Sequence, residues 1–463
     1  MPFNIKSVLY NLPEVKKPVE KRLSFNTKLK WTLIVLAAFF IMSNINLYGL
    51  SENSLQQLEF LQVIFATQFG SIISLGIGPI VMSSIILQLL VGSGILNIDT
   101  KTDEGKKYFQ GLQKMGVIFF IIFEAIVYVI MGGLQPLPGF TGILIFQLFL
   151  GGMAIMLMDE VTQKWGFGSG VSLFIVAGVA WSLFTGLFQF MGAAGENCLF
   201  DFANTPCSGN VLVILQSIIG GNPSQAMVAV AAILVTALIF LGVVWAQSLK
   251  VEIPLAYERI RGYGVKWPLQ FFYASVLPVI LVAALSANIQ LFGTLIENWL
   301  GHPTFLGGFS NGQPISGFAF WIGSTNIVEG MIRGNLPSSF YLQAILHIIF
   351  YMFFAAVFSV FWIKTSGMDE TSQAKNILSS GLQLPGFRKD PRVLESILKR
   401  YIMPLTIMGG IGIGLLSSIA DLLGAMTGGT SILLAVMIMF QLYQSIAQQH
   451  SLDMHPALKK IMG

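Results

Sequence analysis

Long apolar runs separated by short polar and charged stretches dominate this chain. A helix needs about 20 mostly apolar residues to cross a bilayer. Runs near that length fall at residues 31–50, 75–96, 115–134, 142–158 and 169–190. Five more fall at 227–245, 271–292, 340–363, 402–423 and 431–446, which makes ten predicted spans, the fourth and tenth short. The pattern predicts an all-α membrane protein. With five spans in each half, an odd number, any internal repeat must be inverted in topology. No repeat is visible in the residues themselves.

Composition agrees with lipid as the solvent. The hydrophobic fraction is 54% and the charged fraction 10%, with a mean hydropathy of +0.74. A soluble domain carries about a quarter charged residues, so this chain could not cover its own surface with polar groups. The net charge of +4 says little as a total; its placement says more. If the N-terminus is cytosolic and the loops alternate, seven basic residues precede Trp31, four lie in 101–114 and one is Lys164. Four more lie in 250–266, seven in 364–400 and two at Lys459 and Lys460, leaving Arg333 alone on the other side. Lys and Arg accumulate in cytosolic loops, so this asymmetry places both termini in the cytosol and supports the count of ten. The basic residues before position 31 do not read as a secretory signal, because the apolar run after them is long enough to stay in the membrane.

Two segments break the simple pattern. Residues 51–74 are moderately apolar but too short and polar for a span. They fit either a half-helix that enters from the outer side and turns back or an interfacial helix. Re-entrant backbone at membrane depth survives only when buried in protein or lining a water-filled cavity. The loops 246–268 and 365–401 are long and basic. Their charges serve orientation, or form a docking surface for a polyanion such as ribosomal RNA.

Catalytic chemistry is scarce. There is no GxxxxGK[ST], HExxH or CxxC motif, and the four histidines are scattered, so no metal set is expected. GFSNG at 308–312 fits GxSxG formally, without the strand–turn–helix context that motif requires. GGIGIG at 409–414 lies inside an apolar span, where small residues favour close helix packing. Intramembrane acids are functional by default, yet only Glu124 lies mid-span, and Asp421 reads as interfacial. A coupled secondary transporter with inverted repeats, the alternative class, would need a constellation of such groups. An intramembrane enzyme would need a nucleophile–base or two-acid arrangement, which is not found. Cys198 and Cys207 share one loop; they form a disulfide if it faces an oxidising side, or remain free thiols.

Several stretches are similar to SecY in its archaeal form. They include LGIGPIVMSSIILQLLVGSG (75–94), GFGSGVSLFIVAG (166–178), KVEIPLAYERIRG (250–262), LPVILVAALSANIQLFG (277–293), GFRKDPRVLESILKRYI (386–402) and GGTSILL (428–434). The resemblance runs over nearly the whole chain. It implies a clamshell of two inverted pseudo-symmetric five-helix halves, 1–190 and 191–463, around an hourglass pore. It also implies a passive protein-conducting channel in the cytoplasmic membrane that translocates secretory chains and inserts membrane proteins, with no cofactor and no catalysis.

Matched motif by motif, the pore ring falls on Ile77, Val81, Val171, Ile175, Leu277, Ile280 and Leu434. The plug falls at about 55–70, including Glu59, Phe60, Ile64, Phe65 and Phe69. The lateral gate, between the second and third spans and the seventh and eighth, carries Glu124 and Asn288. Met82 stands where archaeal members have a threonine, so the gate's hydrogen bonding is expected to differ. Lys250, Arg259, Arg261, Lys266, Arg388 and Lys389 correspond to the docking loops. Implied partners are the SecE (gamma) and beta subunits, the ribosome, the signal recognition particle and its receptor, nascent signal-bearing chains and membrane lipid.

Overall fold

The structure is a computed structural model that describes residues 12–20, 23–53, 62, 65–92, 94–96, 98, 102–190, 192, 196–200, 205–257, 264–274, 277–310, 313–380, 382–383 and 390–454. The first five spans are α1 (Phe25–Ser43), α2 (Gly78–Gly92), α3 (Asp103–Ile130), α4 (Thr141–Trp165) and α5 (Gly170–Phe188). A short helix α6 (Asn210–Ile219) leads into the sixth span, α7 (Pro223–Ser248). The seventh is α8 (Leu277–Leu300), followed on the far side by the small helices α9 (Gly317–Ile322) and α10 (Ile327–Arg333). The eighth is α11 (Ser339–Ser366), then a short α12 (Glu370–Ser379) and the last two spans, α13 (Pro391–Leu422) and α14 (Gly429–Met454).

Among the described residues nine helices are long and apolar enough to cross a membrane; α2, with 15 residues, is shorter. At 1.5 Å per residue it covers about 22 Å. The turns at 71–77 complete the second crossing. Helix ends follow local chemistry. Ser24 accepts the Thr27 amide and starts α1 six residues ahead of the apolar run. Thr102 accepts the Gly105 amide and starts α3 twelve residues ahead of Met115, through a polar but helix-forming stretch. Asp390 caps α13, whose first residue is Pro391.

The charged segments gather on one face of the bundle, called the basic face below. There Lys114 on α3 pairs with Glu160 on α4 at 2.9 Å, and Lys164 pairs with Glu160 at 2.8 Å. Lys164 also donates to Glu14 and to the Val15 carbonyl, and the Trp165 indole donates to the Lys16 carbonyl at 2.9 Å. The N-terminal segment is thereby strapped to the end of α4. On the opposite face β1 (Leu50–Asn53) pairs with β2 (Leu134–Pro136), and β5 (Gly308–Ser310) with β6 (Gln313–Ser316). Cys198 and Cys207 are disulfide-bonded there, which settles a pairing that the sequence left open.

The two basic loops are one body. β3 (Lys250–Tyr257) pairs antiparallel with β4 (Gly264–Gln270) and also with β7 (Leu382–Gln383) from the second loop. Ile253, Leu255, Leu269, Ile377, Leu394 and Leu398 close a small apolar core of their own beneath it. The main core runs through the bundle. α8 is its central wall, with 78% of its apolar window buried, against 11% for α7, which therefore presents its side chains to lipid.

Close packing of α11 on α13 uses the GGIGIG stretch. A Cβ on Gly410 would stand 2.6 Å from Ser359 Oγ and 2.9 Å from Ala356 Cα, and one on Gly414 would stand 2.6 Å from the Tyr351 carbonyl oxygen. Gly410→Leu is expected to lower the Tm of the detergent-purified protein, losing about 1–3 kcal/mol. Gly412→Ala, which meets ring edges of Phe271 at 3.2 Å and Phe272 at 3.7 Å and no backbone, should leave Tm nearly unchanged.

A second expectation concerns the strap. Hydrogen bonding from Lys164 holds the Glu14 carboxyl below the usual carboxylate range. A carboxyl lowered in the folded state contributes stability above its unfolded pKa, about 4.3, and loses it as pH falls through the lowered value. A spin label on Val19→Cys, an exposed position, should gain mobility as pH falls below about 4. Lys164→Met should produce the same gain at neutral pH.

Candidate functional site

A funnel of about 550 Å³ opens on the basic face between the two halves. Its walls carry neutral polar side chains, among them Gln88, Gln113, Gln163, Ser172, Gln441 and Ser445. Its floor is apolar. Val81 from α2, Val171 from α5, Leu277 and Ile280 from α8 and Ile438 from α14 meet there. The helix directions place the rest of the predicted ring one turn deeper. Ile77 precedes Val81 on the way in from the opposite face, Ile175 follows Val171 toward that face, and Leu434 precedes Ile438. Ile77, Ile175 and Leu434 are 0–1% exposed and belong to the same continuous core. All seven predicted ring residues therefore lie at the floor or within one turn of it. Ile80 and Ile438 join the floor as well, without any motif in the sequence to single them out.

Below the floor the chain at 65–77 turns repeatedly at membrane depth, buried in protein. Phe65 and Phe69 are buried, as are Ala66 and Ile73. The Phe65 carbonyl accepts the amide of Ile77, a ring position, at 2.8 Å. Gly76, at φ +54°, permits this approach, since a Cβ there would sit 2.3 Å from the same oxygen. The Thr67 hydroxyl donates to the Ile73 carbonyl at 2.6 Å, and Phe69 packs edge-on to Tyr128 of α3. Of the predicted plug residues, Glu59, Phe60 and Ile64 lie outside the described residues.

The seam between α2/α3 and α8/α11 is closed mostly by apolar contact. Phe123 meets Phe292 with ring centroids 6.4 Å apart, and Gly92 lies against the Phe361 ring. Glu124 is buried with neither carboxyl oxygen hydrogen-bonded, and Oε2 lies 3.2 Å from where a Gly78 Cβ would be. Asn288 donates to the Ala284 carbonyl at 2.8 Å, and its Oδ1 is unpaired. The polar cluster expected of these two residues is thus not formed as a hydrogen bond. Met82 is half-buried and supplies no hydroxyl. A buried, unpaired acid costs several kcal/mol of order-of-magnitude desolvation, so this seam is held less firmly than the α11–α13 contact.

Asp421 sits at the opposite-face end of α13, as the interfacial reading expects, and is partly enclosed there. It lies between α11, α13 and α14, accepting the Thr430 amide at 2.7 Å, with His347 Nε2 at 3.8 Å. Of the docking residues, Lys266 pairs with Glu252 at 2.8 Å and Lys250 lies 3.9 Å from the same carboxyl, both on the β3–β4 hairpin. Arg259, Arg261, Arg388 and Lys389 lie outside the described residues. No cluster of three or more potential metal ligands occurs among the described residues.

Known proteins share this architecture. The SecY family profile matches residues 71–443, and the plug domain of Sec61p matches residues 38–70. Protein translocase subunit SecY of Methanothermobacter thermautotrophicus is 41% identical over 457 residues, covering 98% of this chain and 97% of that protein. A solved protein-conducting channel superposes with a TM-score of 0.83 at 38% identity, covering 98% of this chain and 99% of the other. Sec61 in the canine ribosome–channel complex from the endoplasmic reticulum superposes with a TM-score of 0.80 at 36% identity, covering the same shares. With a family match over most of its length and full-length relatives of this similarity, the chain belongs to the SecY family.

Proposed function

We propose that this chain is the pore of a protein translocon in the cytoplasmic membrane, with its basic face and both termini cytosolic. It passes secretory polypeptides across and releases apolar segments sideways into lipid. The observation that carries the reading is the funnel into which four helices bring the aliphatic side chains Val81, Val171, Leu277, Ile280 and Ile438. Branched aliphatic groups touch a passing chain without directional bonds, and when empty they resist wetting by ions. The amide-rich wall above can donate to and accept from any backbone that enters. The resting channel is sealed twice, by the ring of Ile77, Val81, Val171, Ile175, Leu277, Ile280 and Leu434 and by the plug whose root touches it.

Opening would proceed from the weak seam. A signal helix of about 20 apolar residues is more stable in lipid than in water and can part Phe123 from Phe292. Separation of α2 and α3 from α8 pulls on Ile77 and on the Phe65 carbonyl bonded to it. That bond contributes about 1 kcal/mol, small enough for the plug to leave once the halves move. The halves would be 1–190 and 191–463. No step needs a catalytic group or cofactor; the energy comes from the partner that feeds the chain. Glu124 stands without a second acid, so it supports the gate and not a coupled transporter.

The β3–β4–β7 body would dock the ribosome, which is bound by the canine relative, with Arg259, Arg261, Arg388 and Lys389 meeting its RNA and Lys250 and Lys266 flanking them. The bare faces of α1 and α7 leave room for the SecE and beta subunits. Delivery would follow the signal recognition particle and its receptor.

The first test is crosslinking of a stalled secretory chain to Ile280→Cys in membranes with the small subunits. Selective adducts are expected at 280 and none at Leu285→Cys or at a lipid-facing control in α7 such as Leu238→Cys. An absence of adducts with ribosomes still bound overturns the pore assignment. A second test reverses Arg259 and Arg388 to Glu together. Ribosome affinity should fall at least tenfold, and the salt dependence of binding should flatten as phosphate contacts are lost.

A further inference from the structure

Two carboxylates, Asp159 buried and Asp421 half-buried, have no part in the reading above, and they occupy equivalent places in the two halves. Asp159 lies near the basic-face end of α4, the fourth span of the first half. Asp421 lies at the opposite-face end of α13, the fourth span of the second. Each captures the opening amides of the helix that follows, the fifth span of its half. Asp159 Oδ1 accepts the Val171 amide at 3.0 Å, with the Gly170 amide beside it. Asp421 Oδ1 accepts the Thr430 amide at 2.7 Å, with the Gly429 amide beside it.

The correspondence extends to packing. A glycine opens each fifth span, and its Cβ would strike the fourth: 2.5 Å from Asp159 Cα for Gly170, and 2.0 Å from the Ala420 carbonyl carbon for Gly429. Each second carboxyl oxygen is also held, Asp159 Oδ2 by Gln163 Nε2 at 2.8 Å and Asp421 Oδ2 by the Thr430 hydroxyl. Ser417 shares that hydroxyl at 2.5 Å. The surrounding residues differ, GFGSGVS against MTGGTSI, and the intervals are 12 and 9 residues.

We propose that Asp159 and Asp421 are paired positioning residues for the pore constriction, one near each face of the membrane. What each holds is a helix that carries ring side chains. Asp159 holds the amide of Val171 itself, one turn before Ile175; Asp421 holds the helix one turn before Leu434. The first amides of a helix have no partner within it, and here a neighbouring aspartate supplies one. Without its aspartate, a fifth span can slip by a residue, and each residue of slip turns it by about 100°. Such a turn carries an aliphatic group out of the ring and opens a leak.

The proposal rests on the ring being the constriction, and the experiment separates the two. Wild type, D159A, D421A, D159N and D421N are reconstituted with the small subunits. Resting ion leak and translocation of chains with intact and defective signals are then measured. The alanine variants are expected to leak several-fold more than wild type and to pass the defective-signal chain at least fivefold faster, while still passing the intact one. The asparagine variants keep an acceptor oxygen and should return toward wild type. Leu148→Ala, a fully buried α4 position away from the floor, should lower Tm without raising the leak.

Failure of wild type to translocate the intact chain would sink the channel reading itself. Wild-type translocation with tight alanine variants, or asparagine variants that leak as much as alanine, overturns only the positioning role. If the alanine proteins do not fold, D159S and D421S, whose hydroxyl is too short to span the same gap, take their place with the same expected outcomes.

Discussion

Backbone amides and carbonyls must be satisfied inside a bilayer, and that requirement governs every part of this molecule. Helices satisfy it within themselves, which is why the crossings are helical. The segment at 65–77 satisfies it differently. It is not a helix, yet Leu47 N–H reaches the Gly70 carbonyl at 2.8 Å, Ile72 N–H the Ile45 carbonyl at 2.9 Å, and Ile77 N–H the Phe65 carbonyl at 2.8 Å. The Ser74 hydroxyl takes the Gly70 amide at 2.9 Å. Irregular backbone at this depth is tolerated because protein surrounds it, and the cavity left on its far side is the funnel. A plug and a pore are consequences of one local departure from helicity.

The same requirement separates rigid from movable contacts. Where α11 and α13 touch, glycines bring the backbones together and Ser359 sits in the notch. Where α2 and α3 touch α8 and α11, the Phe123 ring meets the Phe292 ring and Gly92 lies against the Phe361 ring, on the side of an acid with no hydrogen-bond partner. Aromatic surfaces can exchange one apolar neighbour for another, lipid included, at little cost, whereas interlocked backbones cannot. On the proposed reading a sideways opening belongs at the second seam, where a new polar partner for Glu124 would be stabilised.

How much of this was legible in the residues depended on the kind of signal. Ten apolar runs gave the spans, because hydrocarbon thickness imposes a length. Their ends were less legible, since α3 continues through DEGKKYFQGLQK by helix propensity and a Thr102 cap, which hydropathy does not register. The β3–β4 hairpin carried alternating residues within KVEIPLAY, but its charges drew the reading toward docking alone. The short α6 was absorbed into a loop although NVLVILQSII is apolar, because ten residues cannot span. The ring positions came only from motif resemblance; identity alone does not distinguish Ile280 on the floor from any other buried isoleucine. For Asp421 the position near a span end was visible in the sequence, and its contacts with His347 and Thr430 were not.

The invisibility of the inverted repeat has a physical explanation in the two aspartate caps. Along most of each half the requirement is apolar volume, which many side-chain combinations satisfy equally well, so two halves can share a fold without sharing residues. Capture of two helix-opening amides by a neighbouring helix is more restrictive. It needs a short acceptor with two oxygens at one place, and a glycine opposite to let the backbones close. The two caps are positions at which the halves agree. The halves differ at the second oxygen, held by a glutamine in one and by a threonine near a histidine in the other, because one cap borders the polar funnel and the other lies among helices. The repeat is thus preserved where geometry leaves one solution and lost where packing leaves many.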